Sequence, residues 1–339
     1  MAIEARHMMM TLALAGMGSV AAAAGSPALP APAIFAPGVI SGPSNDGAPT
    51  FSPDGRVLLF ERTYGRRVII LESMLSGGQW STPRVAAFSG PWSDQHAAFA
   101  PDGRYVIYES TRPQPRAPGD TGPARAAAHL WRVERVGAGW SSPTELPASV
   151  NISPRVFKPS VAANGDLYFM SAASVGADGP RWRLYHAAWR NGAYQPAQPV
   201  SISDGSHVDV DPFIAPDQSY LIFSSSGRVA PGDTSERLYI TRRTGDDWGP
   251  VMPLRYAGDD WGGDDGEAQV SPDGRTLYFT SSRATPIDRT VSRPAMLADI
   301  ARREAWDNGD GNAWMLPLGA LLAANEVNIV PPLHPADSN

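Results

Sequence analysis

Asp265-Gly266-Glu267-Ala268-Gln269-Val270-Ser271-Pro272-Asp273-Gly274-Arg275-Thr276-Leu277-Tyr278-Phe279-Thr280-Ser281-Ser282-Arg283 decides how this chain folds. Two short β-rich runs flank Ser271-Pro272-Asp273-Gly274, and the Asp-Gly pair supplies the positive φ of a tight turn, so the stretch reads as an antiparallel hairpin. The phrase recurs as Ser52-Pro53-Asp54-Gly55, Ala100-Pro101-Asp102-Gly103, Ala162-Ala163-Asn164-Gly165 and Ala215-Pro216-Asp217-Gln218. The turn anchors at 54, 102, 164, 217 and 273 are spaced as a repeat protein spaces its units.

Each copy continues in the same way. A third β-rich run follows, as in Val68-Ile69-Ile70-Leu71 or Leu238-Tyr239-Ile240-Thr241, and then a glycine turn and an aromatic open a fourth at Trp80, Trp140, Tyr194 and Trp248. Four strands per roughly fifty residues make a propeller blade. The chain is therefore expected to be all-β, a five-bladed β-propeller of four-stranded antiparallel blades, with six blades as the alternative. The fifth copy runs out of strands after Trp314, and Ala36 to Ser41 occupies the place before the first copy that a fourth strand occupies before each later one. That predicts a ring closed by an N-terminal strand, which removes an exposed sheet edge. The expected division is a signal peptide over 1–24, one propeller over 35–322 and a tail over 323–339.

Composition agrees with this outline and excludes other classes. Glycine and proline number 33 each among 339 residues, too many for a helical bundle. With no cysteine, the chain has no disulfide scaffold, thiolate metal site or thiol nucleophile. A net charge of −6, with Lys158 the only lysine, offers no basic face to nucleic acid. Arg6 and His7, the run Met8 to Ala24 and its small closing residues resemble a secretory leader cleaved near Gly25, which points to the periplasm or secretion. No stretch is apolar enough for a membrane span.

The Asp-x-x-Pro-x-Phe-Ser-Pro-Asp-Gly-Arg phrasing, best kept in Asp46 to Arg62 and Asp265 to Arg283, resembles the WD-like β-propeller repeats of the TolB-type family across about residues 35 to 320. That family includes periplasmic interaction scaffolds and peptidase accessory domains. The resemblance implies an exported, monomeric interaction module whose partner is an envelope protein, a peptide or a carbohydrate. The third copy departs from the pattern, with Val156 for the leading Asp, Asn164 in the turn and one residue fewer in its second strand.

Two rows of residues mark the channel mouth, where propeller ligands meet the loops into the innermost strands. Eight residues before each anchor stand Asp46, Asp94, Val156, Asp209 and Asp265; six before stand Ala48, His96, Lys158, Asp211 and Glu267. Period-two spacing puts both rows on one side of the strand, giving a ring of six carboxylates, one histidine and the one lysine. The leading aspartates equally suit a structural role at the blade turns. Arg62, Arg112, Arg228 and Arg283 are their expected partners, and Trp80, Trp140 and Trp248 read as packing at blade edges. The second row, which varies between blades, is the better mark of a site.

No cofactor is expected, calcium being the one candidate, through Asp264, Asp265 and Glu267 in an acidic stretch that fits no standard calcium loop. Histidines 96, 129, 186 and 207 are too scattered to suggest zinc. The enzyme alternative is a carboxylate-dependent glycoside hydrolase, with Asp94 and Glu267 as base and acid. No Gly-x-Ser-x-Gly elbow is present for a serine hydrolase. Insertions at Ala117 to Thr121 and Ala230 to Thr234 should be loops on one rim, and the spacing around Pro294 predicts a short helix over 294–305, a cap on the side of the propeller.

Overall fold

Every Asp-Gly phrase turns one strand back on the next, and repetition of that unit builds the molecule. A computed structural model describes residues 28–114, 127–176, 179–230, 232–260, 262–286 and 292–327. Blade 1 runs Asp46–Phe51, Val57–Tyr64 and Arg67–Ser76 from the axis outward, with an outer strand in two pieces, Gln79–Trp80 and Arg84–Val85. Blade 2 repeats this with Asp94–Phe99, Tyr105–Ser110, His129–Val136, Gly139–Trp140 and Thr144–Glu145. Blade 3 comprises Val156–Val161, Leu167–Gly176, Gly179–Ala187 and Gln198–Pro199, and blade 4 comprises Val208–Ile214, Tyr220–Ser226, Arg237–Thr244, Asp247–Trp248 and Met252–Pro253. Blade 5 takes Asp265–Val270, Thr276–Ser281 and Asn312–Pro317 from the end of the chain and its outer strand, Ala33–Ile34, from the beginning.

The ring closes as the repeat predicts, but through Ala33–Ile34, which pair with Met315 and Trp314. Residues 36 to 41 form a turn instead, because Ala36 and Gly38 lie at φ 42° and 78° and the amides of Val39 and Ile40 donate to the Ala36 carbonyl. One hydrogen bond shows that the closing strand is equivalent to the others. The Phe35 amide donates to the Ala313 carbonyl at 2.8 Å, as Ala86 does to Ile70, Leu146 to Leu130, Val200 to Leu184 and Leu254 to Leu238.

Apolar side chains gather in five clusters, each between two neighbouring blades. Phe60, Tyr108, Phe169, Phe223 and Phe279 take equivalent places on the second strands and are buried. Removing each ring from water contributes about 2–3 kcal/mol. Trp80 lies against Phe35 and Phe51, Trp140 against Phe88 and Phe99, and Trp248 against Tyr168, so these indoles pack at blade junctions.

Blade 3 differs from its expected short form. Its second and third strands run to 10 and 9 residues, because an irregularity between Ser171 and Ser174 lets the hairpin continue to Gly176 opposite Gly179. Helix α1, Arg293–Ala305, starts with proline in its first turn as predicted, but none of its residues is buried, so it is not a packed cap. Ion pairs from Asp299 to Arg302 and Arg303 lie within the helix, and it is held at its end by the Arg302–Asp307 pair and by an Arg303 bond to the Thr285 carbonyl. Helix α2, Leu318–Ala324, occupies a segment for which the sequence suggested no strand. It buries Leu318, Leu321 and Leu322 against the cluster between blades 4 and 5. The leader, the 117–121 insertion, Pro231 and residues 328–339 lie outside the described residues. Among the described residues no helix is long and apolar enough to cross a membrane.

Candidate functional site

The two rows of candidate residues part company at a bulge. In every inner strand the pairing with the second strand slips once: between Gly47 and Thr50, Gln95 and Ala98, Phe157 and Ser160, Val210 and Phe213, and Gly266 and Gln269. Within each slip the second-row residue is left-handed, at φ 46° for Ala48, 52° for His96, 48° for Lys158, 53° for Asp211 and 55° for Glu267. A bulge breaks strict alternation and re-aims the side chain it carries. The two rows therefore do not share a side.

The leading aspartates serve the blade junctions and are corrected here as ligand-contact candidates. Asp46, Asp94, Asp209 and Asp265 are at most 2% exposed. Each is paired with the arginine that closes its second strand: Arg62 at 2.5 Å, Arg112 at 3.1 Å, Arg228 at 2.7 Å and Arg283 at 2.7 Å. The same arginines donate to carbonyls of the incoming connection, at Ile40, Phe88, Ile202 and Gly258. The amides of Gly42 and Gly90 donate to Asp46 and Asp94. Each clamp thus ties the start of one blade to the end of the one before. Val156 fills the corresponding place in blade 3 and is buried without such an ion pair.

The second row converges near the axis. His96 Nε2 lies 3.0 Å from Glu267 Oε1, joining blades 2 and 5, and its Nδ1 lies 2.8 Å from Glu109 Oε2. Glu267 Oε2 accepts from the Ala48 amide at 2.7 Å and from the Thr280 hydroxyl at 2.6 Å. Glu61 accepts from the His96 amide at 2.9 Å, Asp211 from the Glu267 amide at 3.2 Å, and Glu109 from Gln95 at 2.8 Å. Glu61, Asp211, Glu236, Asp264 and Glu267 line a cavity of about 250 Å³. Lys158 is 4% exposed and makes no hydrogen bond or ion pair among the described residues, though its charge acts on Glu61, Asp211 and Glu267.

Crowded carboxylates with few cations cannot all ionise freely, and their titration is shifted accordingly. Burial and the charge of Glu267 push Glu61 up to about 7. Burial, followed by Asp211 and Asp264, pushes Glu236 up to about 8. Burial also raises Asp211 and Glu109. Burial would raise Glu267 as well, but hydrogen bonding and charge from His96, with Lys158, outweigh it and hold that carboxyl at about 2. Burial would depress His96, and the surrounding carboxylates raise it instead.

Glu61, Glu109 and Glu236 were not among the residues the sequence singled out. A signal for the first two was present: they pair across the hairpin with Gly47 and Gln95, between the two rows, and each directly ends an apolar run, Val57 to Phe60 and Tyr105 to Tyr108. Of the calcium candidates, Asp264 and Glu267 line one cavity, whereas Asp265 is clamped by Arg283 in the blade junction. The carboxylate pair of the hydrolase alternative is likewise divided. Asp94 is buried beside Arg112, whereas Glu267 faces the channel. The far mouth is chemically opposite, a cavity of about 600 Å³ lined by Phe51, Phe99, Val161, Phe213 and Val270 from all five blades.

No protein-family model matches the sequence, and no curated protein does. Among solved structures the chain is similar to an α-L-arabinofuranosidase from Lactobacillus brevis, at 11% identity over 84% of this chain and 92% of that one, with a TM-score of 0.51. It is also similar to TolB from Acinetobacter baumannii, at 12% identity and TM-score 0.46 over 81% of this chain, and spans about half (54%) of that protein's length. A TolB from Agrobacterium tumefaciens is similar at 15% identity and TM-score 0.45, covering 81% of this chain and 91% of that one. At such identities the likeness is one of fold. In architecture the chain is a five-bladed β-propeller.

Proposed function

We propose that the chain is an exported binding module without catalytic activity of its own, and that its acidic mouth takes a cationic group presented by a protein or peptide partner. The observation that carries this reading is the shortage of cations at the mouth. Glu61, Asp211 and Glu236 line one cavity, and none of them has an ion-pair partner among the described residues. A lysine or arginine side chain or a free amino terminus entering there would let these groups ionise, and charge complementarity of this kind sets specificity and association rate. The small-residue run ahead of Gly25 supports export.

The test is a thermal-shift and calorimetric titration of the chain from residue 25 with lysine- and arginine-bearing peptides and, in parallel, neutral oligosaccharides including arabino- and xylo-oligomers. A ligand that binds only the folded state raises the melting temperature. Cationic peptides should raise it, less so at high salt, and the Asp211→Asn/Glu236→Gln variant should abolish the shift. Binding of neutral oligosaccharides alone, or their cleavage, would replace this reading with the hydrolase alternative.

A further inference from the structure

We propose that Glu61, His96 and Glu267 form a binding site for one divalent transition-metal ion with nitrogen and oxygen ligands, of the zinc, cobalt or manganese class. The site requires no partner, but it shares Glu61 and the cavity with the reading above, and the metal titrations below test it separately from the peptide titrations. Ligand atoms of the three side chains lie within 4.8 Å of one another, so that a small inward shift of the side chains brings all three to bonding distance of one ion. They arrive from three blades, and two of them, His96 and Glu267, are held by the left-handed bulges that aim them at the axis. The imidazole is oriented as a ligand should be. Glu109 holds Nδ1 at 2.8 Å and is itself fixed by Gln95, which leaves Nε2 turned towards Glu267. A carboxylate behind a histidine in this way fixes its tautomer and raises its basicity towards a metal.

Two further side chains point to a missing cation. Asp211 is 7% exposed, lines the same cavity as Glu61 and Glu267, and only its Oδ2 accepts a hydrogen bond among the described residues. Lys158, buried beside the same carboxylates, engages none of them directly. Glu61, Glu109, Asp211, Glu236 and Glu267 therefore face one permanent cation, and a dication would offset about half of the remaining negative charge. The nitrogen donor separates this site from an all-oxygen calcium site and favours borderline ions. Three protein ligands beside an open cavity leave a coordination position for water or for a ligand entering the mouth.

The experiment uses the EDTA-treated chain from residue 25 and the metal alone. Zinc, manganese and calcium are titrated calorimetrically, and cobalt is followed by its visible absorption. One equivalent of zinc and of cobalt should bind. His96→Asn, chosen because asparagine tolerates the left-handed backbone, and Glu61→Gln should each weaken binding at least 100-fold. Glu109→Gln, a positioning change, should weaken it roughly 10- to 100-fold and alter the cobalt spectrum. His186→Asn and His129→Gln, at the other imidazole–carboxylate pairs, should leave it unchanged. Circular dichroism and melting temperature establish that each variant folds, and Glu61→Gln carries the test if His96→Asn does not. Binding weaker than about 1 mM, binding that survives both changes, or a preference for calcium over zinc would overturn the proposal.

Discussion

Arg283→Leu should be among the most damaging single substitutions in the chain, and the reason is the aspartate it abandons. The Arg283 and Asp265 side chains are 1% and 3% exposed and meet at 2.7 Å. Tyr256 OH bonds to both, and the guanidinium lies over the Tyr256, Phe279 and Trp314 rings at 4.8, 5.3 and 5.5 Å. Removing one member of a buried ion pair leaves the other uncompensated and costs about 3–5 kcal/mol. At roughly 2–4 °C per kcal/mol for a domain of this order, the melting temperature should fall by about 6–20 °C. The pair itself is not worth that much, because desolvation offsets most of its attraction. Hence Asp265→Val with Arg283→Leu and Tyr256→Phe, an apolar junction like the one around Val156, should be more stable than Arg283→Leu alone. Urea unfolding followed by tryptophan fluorescence measures both, with the slope checked for two-state behaviour. A single variant that loses less than about 1 kcal/mol, or a triple variant less stable than the single, would refute the argument.

Glu236 makes stability depend on pH. Its folded pKa, about 8 against 4.5, is raised, so its favourable contribution is complete below pH 4.5 and is lost as pH rises to about 8. In EDTA, Glu236→Gln should therefore match the parent near pH 4.5 and exceed it by roughly 2–5 kcal/mol at pH 9; an equal effect at both pH values in urea titrations would contradict this. Gly47→Ala would place a methyl 2.7 Å from Glu267 Oε2 and from Thr280 Oγ1, so it should cost about 1–3 kcal/mol by calorimetry and weaken ligand binding at the mouth. Unchanged melting and binding would show that the carboxylate moves freely. Truncation of the first 35 residues uncovers the Asn312–Pro317 edge and should produce oligomers in light scattering, whereas a monodisperse product would mean that Ala33–Ile34 are not needed to close the ring.

The sequence was most legible where the physics is local. Asp-Gly and Asn-Gly turns and alternating strands lie within a few residues of each other, so the blades and the need for an N-terminal closing strand could be read directly. The exact strand could not, because Ala33–Ile34 form a strand only by pairing with Met315 and Trp314 at the finished end of blade 5. Channel positions followed from register, but their direction depends on a left-handed residue inside each strand, and Ala48, His96, Lys158, Asp211 and Glu267 share no local preference for that conformation. The arginine partners of the leading aspartates were also legible, though their burial was not, since it arises only when a preceding blade is laid against them. Glu61 and Glu109 became site residues because they pair with Gly47 and Gln95, directly before the left-handed Ala48 and His96, and this bulge is not legible in the sequence.

The strained backbone is not itself the mark of the site. Left-handed conformations at residues other than glycine often gather at functional centres, yet here the same strain recurs in all five blades, including at Ala48, which bears no polar group. The bulge is therefore a property of the repeat, a device that presents one side chain per blade to the axis whatever that side chain is. Function has to be sought in what breaks the symmetry. Alanine in blade 1 leaves its amide open to the Glu267 carboxylate, histidine in blade 2 bridges that carboxylate to Glu109, and lysine in blade 3 stands unpaired beside them. A fivefold scaffold carrying five different residues at one position is least symmetric where His96, Glu61 and Glu267 meet, and under the proposed metal site it is there that substitutions should separate binding from folding.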